Sequence, residues 1–414
     1  MKVAHLLRKY DPAQWGGTET ALKQLLDGMS HYGVTPTIYS PKIPKNSGRD
    51  PLREAGYQVN GFEAFLPVFG IPRRQRQQLI SVGGNLLSFT LPWSLWRAPG
   101  LSLIHTHTLG RLGGTAMQVA RKRKLPFVVT IHGGVLDLPE AVKQKLLEPL
   151  RGGFEWGKAF GALVKSRRVI EDADAVVTCN EREASLLREK YPALRVVVQP
   201  HGVPMRAYRE DCAASAEEAY PQIRGKRVLL CLGRIDPVKN QRWLVDEAPA
   251  ILQRHPAAML VFAGSITDAP YGEALREEVE RLGLRQRALF TGSLPPGDPR
   301  LLGLLQKAEA LVLPSLSETF GLVILEAWAA NTAVIASKTS GACALVEDGK
   351  NGRLFDIATP GTLHAAIDEV LLNPGKRAEF ARAGHELVEM QYDSDALAAR
   401  MKNLYSELIE EARK

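Results

Sequence analysis

Short, uniformly apolar runs alternate along the whole chain with longer stretches whose apolar residues recur three and four positions apart. The runs KVAHLL, LSLIH, PFVVTI, DAVVT, RVVV, RVLLCL, AAMLVFA, RALF, AEALVL and TAVIA have the length and character of strands buried on both faces. Between the first of them and GVTPTIYS, the segment TETALKQLLDGMSHYG sets Ala21, Leu22, Leu25, Leu26 and Met29 on one helical face, and Gly33 closes it. Strand, Gly-rich loop, helix, strand is the opening of a doubly wound parallel sheet. The same scheme restarts at Lys226, after an acidic, alanine-rich stretch (EDCAASAEEAYP) that reads as a linker region over 204–225. A chain of 414 residues is too long for one core. The pattern therefore predicts an α/β protein of two doubly wound domains, 1–203 and 204–391. It also predicts helical structure over 139–171 and an amphipathic terminal helix over about 392–414.

Composition adds limits. With 45% hydrophobic and 24% charged residues the chain is ordinary for a globular protein, and no run of eighteen apolar residues suggests a membrane span. Cys179, Cys212, Cys231 and Cys343 are far apart and lack metal-ligand spacing, which fits reduced thiols in a cytoplasmic protein. Charge is unevenly spread: residues 1–200 hold 28 Lys/Arg against 16 Asp/Glu, the remainder 25 against 29. No acidic residue occurs between Glu63 and Asp137. In that interval Phe65, Phe69, Phe89, Trp93 and Trp96 mix with Arg73, Arg74, Arg76 and Arg97, and Phe62 lies just before it. Such a mixture fits either a membrane-surface patch or core residues beside a solvated face.

Candidate chemistry concentrates at strand ends. The segment SLSETFGLVILEAWAANTAVIAS follows an apolar strand, with Glu318 in a loop and Glu326 on the helix that begins after Gly321. The open N–H groups of Phe320, Gly321 and Leu322 suit an anion or sugar hydroxyls. Ser315 to Glu318 also fits a capping box, and Glu326 a solvated helix position. In the loop from Gly233 to Asn240, Arg234 and Lys239 stand five residues apart ahead of a helix that Asn240 can cap; a guanidinium and an ammonium there can clamp a diphosphate. His105 and His107 end one strand and His132 another, where ligands of open α/β sheets bind. Their spacing fits no usual zinc pattern. The loop Trp15-Gly16-Gly17-Thr18-Glu19 lacks the third glycine of a dinucleotide fingerprint. Asp172-Ala-Asp174 copies the Asp-x-Asp of metal-dependent sugar transferases but abuts an apolar strand, which favours a turn.

Glu, seven residues, Glu, with Phe-Gly after the first Glu, together with Gly-Arg-x-x-x-x-Lys, closely resembles retaining glycosyltransferases of family 4. The resemblance spans nearly the whole chain and is strongest over 227–355. It implies the GT-B architecture, two Rossmann-like domains facing across a cleft, with the first binding the acceptor and the second the nucleotide sugar. The terminal helix would pack back on the first domain. The resemblance also implies site roles. His132, Glu318, Arg234 and Lys239 would be catalytic; Gly16, Gly17, Arg234, Lys239, Glu318, Phe320, Gly321, Leu322 and Glu326 would hold the donor; His107 and Trp15 are acceptor-side candidates. His201-Gly202-Val203 departs from the family's Asn-Gly-Val at its first residue. The implied activity is retaining, metal-independent hexosyl transfer from a nucleotide-diphosphate sugar to an acceptor hydroxyl, in polysaccharide, glycolipid or small glycoside biosynthesis. No cofactor, metal or nucleic acid is implied.

The basic first half favours a lipid-linked or phosphorylated acceptor carbohydrate, with peripheral attachment at the inner face of a membrane as one option. Other readings on the same sheets are a nucleotide-sugar epimerase or hydrolase, a nicotinamide-dependent oxidoreductase and a non-catalytic sugar-binding protein.

Overall fold

The computed structural model describes residues 1–12, 15–42, 50–72, 76, 80, 84–132, 136 and 154–414. Arg73, Arg74 and the helical expectation for 139–153 lie outside the described residues. The chain forms two compact units, one of residues 1–12, 26–200 and 397–414, the other of 13–25 and 201–396.

In the first unit seven parallel strands lie in the order Gln58–Phe62, Thr35–Pro41, Lys2–Leu6, Leu101–Thr106, Phe127–Ile131, Ala175–Thr178, Val196–Val198. Counted along the chain this is 3-2-1-4-5-6-7, so the order reverses beside the first strand. Both faces are covered, which is why the strands are apolar almost without interruption. Leu6, Ile104, Phe127, Val129 and Val176 pack with Leu112, Ala116 and Met117 of the helix Gly110–Lys122. The last helix, Ser394–Glu411, belongs to this unit from Leu397 on, burying Leu397, Met401, Leu404, Tyr405 and Leu408. Asp174 accepts the Phe127 N–H at 2.7 Å and pairs with Arg121, while Asp172 pairs with Arg168, so Asp-x-Asp is a helix-to-strand turn.

The mixed aromatic and basic stretch divides. Phe62 is core, whereas Phe69 is 63% exposed and Trp93 62%. A two-stranded antiparallel ribbon, Val68–Phe69 with Phe154–Glu155, is anchored by Arg111, which is buried, pairs with Glu155 at 2.7 Å and donates to the Asn85 carbonyl, since a buried cation needs an opposite charge. Around the ribbon Trp156 stacks on Phe65 and Phe69, Phe89 lies against Phe65 and Phe160, and Arg97 covers Trp93. No helix of the described residues is long and apolar enough to cross a membrane.

In the second unit six parallel strands run Ala288–Gly292, Ala258–Ala263, Arg227–Leu232, Ala308–Leu313, Ala333–Ser337, Arg353–Phe355, again reversing beside the first strand, in the order 3-2-1-4-5-6. Leu229, Cys231, Leu260, Phe262 and Val312 form the core with Leu244, Ala248, Ile367 and Val370. Trp328, on the short helix Leu322–Ala329, is fully buried, its indole N–H donating to the Asn351 carbonyl at 3.0 Å. A Cβ on Gly384, in the helix Pro374–Gln391, would lie 2.1 Å from its ring. That contact sets the depth at which the Leu322–Ala329 helix sits. Gly384→Ala should therefore destabilise the protein by about 1–3 kcal/mol, the range for overpacking a tight core. Gly375→Ala in the same helix, where nothing lies within 4 Å, should be neutral or mildly stabilising. Thermal denaturation of the two variants checks this; a Gly384→Ala protein as stable as the parent would contradict it.

Candidate functional site

Where a parallel sheet reverses direction, the connections from the two central strands leave on opposite faces and a crevice opens beyond the carboxyl ends. In the second unit those strands are Arg227–Leu232 and Ala308–Leu313, and the loops leaving them are Gly233–Asn240 and Pro314–Gly321. Both motifs singled out in the sequence thus sit at one switch point. The Leu316 N–H donates to the Val238 carbonyl at 2.8 Å, and Lys239 and Glu318 form an ion pair with both side chains less than a fifth exposed.

The loop after Leu232 is shaped by a residue the sequence reading passed over. Asp236 is buried, its Oδ1 accepting the N–H groups of Val238 and Lys239 at 3.0 Å and its Oδ2 pairing with Arg234 at 3.2 Å. The turn this creates aims Lys239 inward. Asn240 was expected to cap the following helix; it occupies the cap position in a left-handed conformation (φ 57°) and its side chain makes no cap bond. The nearer carboxylate of Asp236 already fixes the loop, and the signal for it was an Asp-Pro turn just ahead of a helix. Gly233 and Gly264 approach so closely that a Cβ on Gly264 would meet the Gly233 carbonyl oxygen at 1.9 Å. A side chain there would displace the loop that carries Arg234.

Gly321 adopts φ 94°, ψ 48°, which L side chains rarely tolerate, and turns the chain into the Leu322–Ala329 helix. Among the described residues the N–H groups of Phe320, Gly321 and Leu322 donate no hydrogen bond. The capping-box alternative is not formed. Instead the Glu318 carbonyl accepts from the Gly341 N–H at 2.7 Å and the Ser340 hydroxyl at 3.2 Å. A Cβ on Gly341 would lie 2.6 Å from that carbonyl, so glycine is required there, another residue not singled out from sequence.

Glu326 points inward, 7% exposed, with no hydrogen bond or ion pair to any described residue. Burial pushes its carboxyl up to about 7. Tyr208 lies close enough for that carboxylate to add to the burial that holds its phenol protonated. His201 packs its ring edge against Phe320 at 5.0 Å, and burial lowers its imidazole to about 4, so the residue that departs from the family pattern stands as a neutral ring against the Phe-Gly turn.

Gly16 precedes and Gly17 begins the helix Gly17–Ser30, whose first half groups with the second unit, and Gly17 faces the Leu322 side chain. Trp15 donates its indole N–H to Thr20 at 2.7 Å. His107 and His132 belong to the first unit, just past its own switch point, and bond each other at 2.7 Å. His5, absent from the sequence reading, joins them through His107.

Comparison with known proteins follows this geometry. Residues 216–387 match the family model "Glycosyl transferases group 1" and residues 16–202 the model "Glycosyl transferase 4-like domain". The chain is 32% identical over 330 residues, 77% of its length, to the D-inositol 3-phosphate glycosyltransferase of Acidothermus cellulolyticus, 70% of which is covered. It is 30% identical over 57% of its length, and 62% of the relative's, to the GDP-mannose-dependent alpha-(1-6)-phosphatidylinositol monomannoside mannosyltransferase of Mycobacterium tuberculosis. Its fold resembles Anabaena Alr3699/HepE in complex with UDP-glucose (TM-score 0.73, 19% identity, 98% of this chain and 100% of that one).

The Glu326 carboxyl has a consequence for stability. An unfolded chain ionises it near the ordinary value of 4.5, the folded one at about 7. Between these pH values the folded state holds a proton that the unfolded state has lost, so stability falls as pH rises through the window and stays lower above it. Glu326→Gln should stabilise the unliganded protein by on the order of 3 kcal/mol at pH 8 and by well under 1 kcal/mol at pH 4.5, given about 1.4 kcal/mol per unit. Melting temperatures of parent and variant across that range test it; a gain independent of pH would contradict the buried, partnerless carboxylate.

Proposed function

The chain belongs to the glycosyl transferases group 1 family, and on that premise we propose how its residues divide the work of moving a sugar from a nucleotide-diphosphate donor. The observation that carries the proposal is the convergence, at the second unit's switch point, of two cations, three open backbone N–H groups and a buried carboxylate that no described residue satisfies. The second unit takes the donor and the first the acceptor. Arg234 and Lys239 receive the diphosphate, which replaces Asp236 and Glu318 as their partners, and Gly16 and Gly17 leave room for its oxygens. Glu326 accepts the ribose hydroxyls, because a diol donates two hydrogen bonds to one carboxylate. Glu318, released from Lys239, and the N–H groups of Phe320, Gly321 and Leu322 hold the transferred sugar, with His132 on one of its hydroxyls. His107 and Trp15 serve the acceptor side.

The two cations supply the charge neutralisation a divalent ion gives other transferases, so the reaction runs without metal. Departure of the diphosphate and arrival of the acceptor on the same face of the sugar give retention, the leaving phosphate taking the acceptor's proton. Transfer to an acceptor distinguishes this reading from a nucleotide-sugar epimerase or hydrolase, and the absent third glycine argues against a nicotinamide enzyme.

For the acceptor, the basic first half and the relatives named for inositol 3-phosphate and phosphatidylinositol mannoside favour a phosphorylated or lipid-linked carbohydrate. The exposed aromatics Phe69, Phe89, Trp93 and Trp96, with Arg97 over Trp93, support peripheral attachment to an anionic membrane from the cytoplasmic side.

Titration calorimetry with a free nucleoside diphosphate should show Arg234→Ala and Lys239→Ala each weakening binding by about 1.5–3 kcal/mol and Glu326→Ala by about 1–3, the scale of hydrogen bonds to charged groups. Unchanged affinity in Glu326→Ala would remove the ribose assignment. Sugar transfer should persist in EDTA; loss that magnesium or manganese restores would overturn the metal-free step. Flotation with anionic vesicles should recover the parent protein but not Trp93→Ser/Trp96→Ser, and equal recovery of both would sink the membrane contact.

A further inference from the structure

A backbone turn that keeps its N–H groups open for a ligand cannot use them to hold itself in place. That is the position of Phe320, Gly321 and Leu322. On one side the turn is tied by the Glu318 carbonyl, which accepts from the Gly341 N–H and the Ser340 hydroxyl, and on the other by the Ile324 N–H, which donates to the Gly321 carbonyl at 2.9 Å. Gly321 between them lies in the left-handed region, and a glycine's conformational freedom does not by itself fix where the N–H groups point. The Phe320 side chain is a further handle, and it is only 8% exposed. Two rings grip it. The His201 ring meets it at a centroid distance of 5.0 Å and an angle of 75°, the Tyr392 ring at 6.2 Å and 63°. Both are edge-to-face arrangements, in which the positive rim of one ring faces the negative face of the other. Burial keeps His201 and Tyr392 neutral, so neither brings a charge to the contact.

The two rings come from distant parts of the chain that are joined to each other. The Val203 N–H donates to the Tyr392 carbonyl at 2.9 Å and the Ser394 N–H to the Val203 carbonyl at 3.0 Å, a short parallel bridge that pairs Val203 with Asp393. Val203 and Ser394 are buried. The bridge lies beside two of the places where the chain passes from one unit to the other, between Pro200 and His201 and between Ala396 and Leu397. Within the first unit the same two segments are tied again, the Gln199 side-chain amide donating to the Leu397 carbonyl at 2.7 Å. Each passage is thus fastened to the other by hydrogen bonds, and on the second unit's side both present a ring to Phe320.

We propose that His201 and Tyr392 are positioning residues: they clasp the Phe320 ring, aim the N–H groups of its turn, and so link the hold on the transferred sugar to the Val203–Asp393 bridge between the two passages. The proposal rests on the assignment of that turn to the sugar. Sugar oxygens accepting from the N–H groups fix the turn, the fixed turn keeps Phe320 seated between His201 and Tyr392, and the bridge that carries those two rings then opens less often. The coupling runs both ways, so loosening the clasp weakens the sugar's hold by the same factor. The nucleotide, held through Arg234, Lys239 and Glu326, does not depend on it. Free nucleoside diphosphate and nucleotide sugar should therefore differ in what they do to the bridge.

The probes are UDP-glucose with UDP and GDP-mannose with GDP, and the pair whose diphosphate binds the parent protein more tightly is used throughout, without acceptor. In the parent, hydrogen–deuterium exchange at the Val203 and Ser394 amides should be slower with saturating nucleotide sugar than with saturating diphosphate, because bridged amides exchange through local opening. Equal rates in the two complexes would overturn the link, and this measurement needs no variant. Titration calorimetry then separates sugar from nucleotide. His201→Ala and Tyr392→Ala should each weaken the nucleotide sugar about tenfold, the scale of one hydrogen bond, and the diphosphate less than about twofold. His201→Phe and Tyr392→Phe, which keep a ring edge on Phe320, should bind both ligands as the parent does. Equal losses of the two ligands in the alanine variants would mark a general structural role and reject the clasp. Glu318→Gln acts on the sugar without touching the clasp and so tests the underlying assignment. A selective loss of the nucleotide sugar in Glu318→Gln but in neither alanine variant would reject the clasp and keep the sugar site; no selective loss in any of the three would reject both.

Discussion

The reversal of strand order beside the first strand of each sheet is the constraint on which the rest of the molecule depends. Parallel strands need crossovers, crossovers are right-handed, and a sheet grown outwards in both directions from one strand must send two neighbouring connections to opposite faces. In the second unit that opens a gap between the loops following Leu232 and Leu313. The two cations and the Glu318 carboxylate stand in those loops, more than 70 residues apart in sequence. In the first unit the same reversal gathers His5 and His107, and the neighbouring strand brings His132.

The second unit's site is also costly to keep. Glu326 sits in an apolar helix beside the wholly buried Trp328, with burial raising its carboxyl and no cation among the described residues paired with it. Gly321, Gly341, Gly264 and Gly384 each hold the backbone where a side chain would not fit. Arg234 and Lys239 are meanwhile neutralised by carboxylates of their own unit. This fits a surface ready for a ligand with its own negative charges and hydroxyls: the cations are stored in ion pairs that can be exchanged, while the carboxylate and the N–H groups are left unmet.

Much of this was legible in the sequence because it is local. Uninterrupted apolar runs showed strands covered on both faces, and Glu318, Phe320, Gly321 and Glu326 follow one another within a single strand-loop-helix. Arg234 and Lys239 share a loop. What was hidden depends on contacts between distant segments or on a choice between nearby polar groups. Asp236 outcompetes Asn240 because its carboxylate is positioned to accept two N–H groups at once. Gly341 is needed only because its helix rises under Glu318, and His5 looked like an isolated residue of an apolar strand until the register placed it against His105 and His107. His201, which departs from the family pattern, lies edge-on against Phe320, a contact no spacing in the sequence announces.

The central claim is that the switch point of the second unit receives a nucleotide-diphosphate sugar, and a crystal structure with such a donor tests it most directly. The donor should be the nucleotide sugar that most raises the melting temperature, since binding stabilises by mass action. The account predicts diphosphate oxygens on Arg234 and Lys239, both ribose hydroxyls on Glu326, and the Lys239–Glu318 ion pair broken in favour of the ligand. A nucleotide bound elsewhere, or one that leaves that ion pair closed and Glu326 untouched, would contradict it.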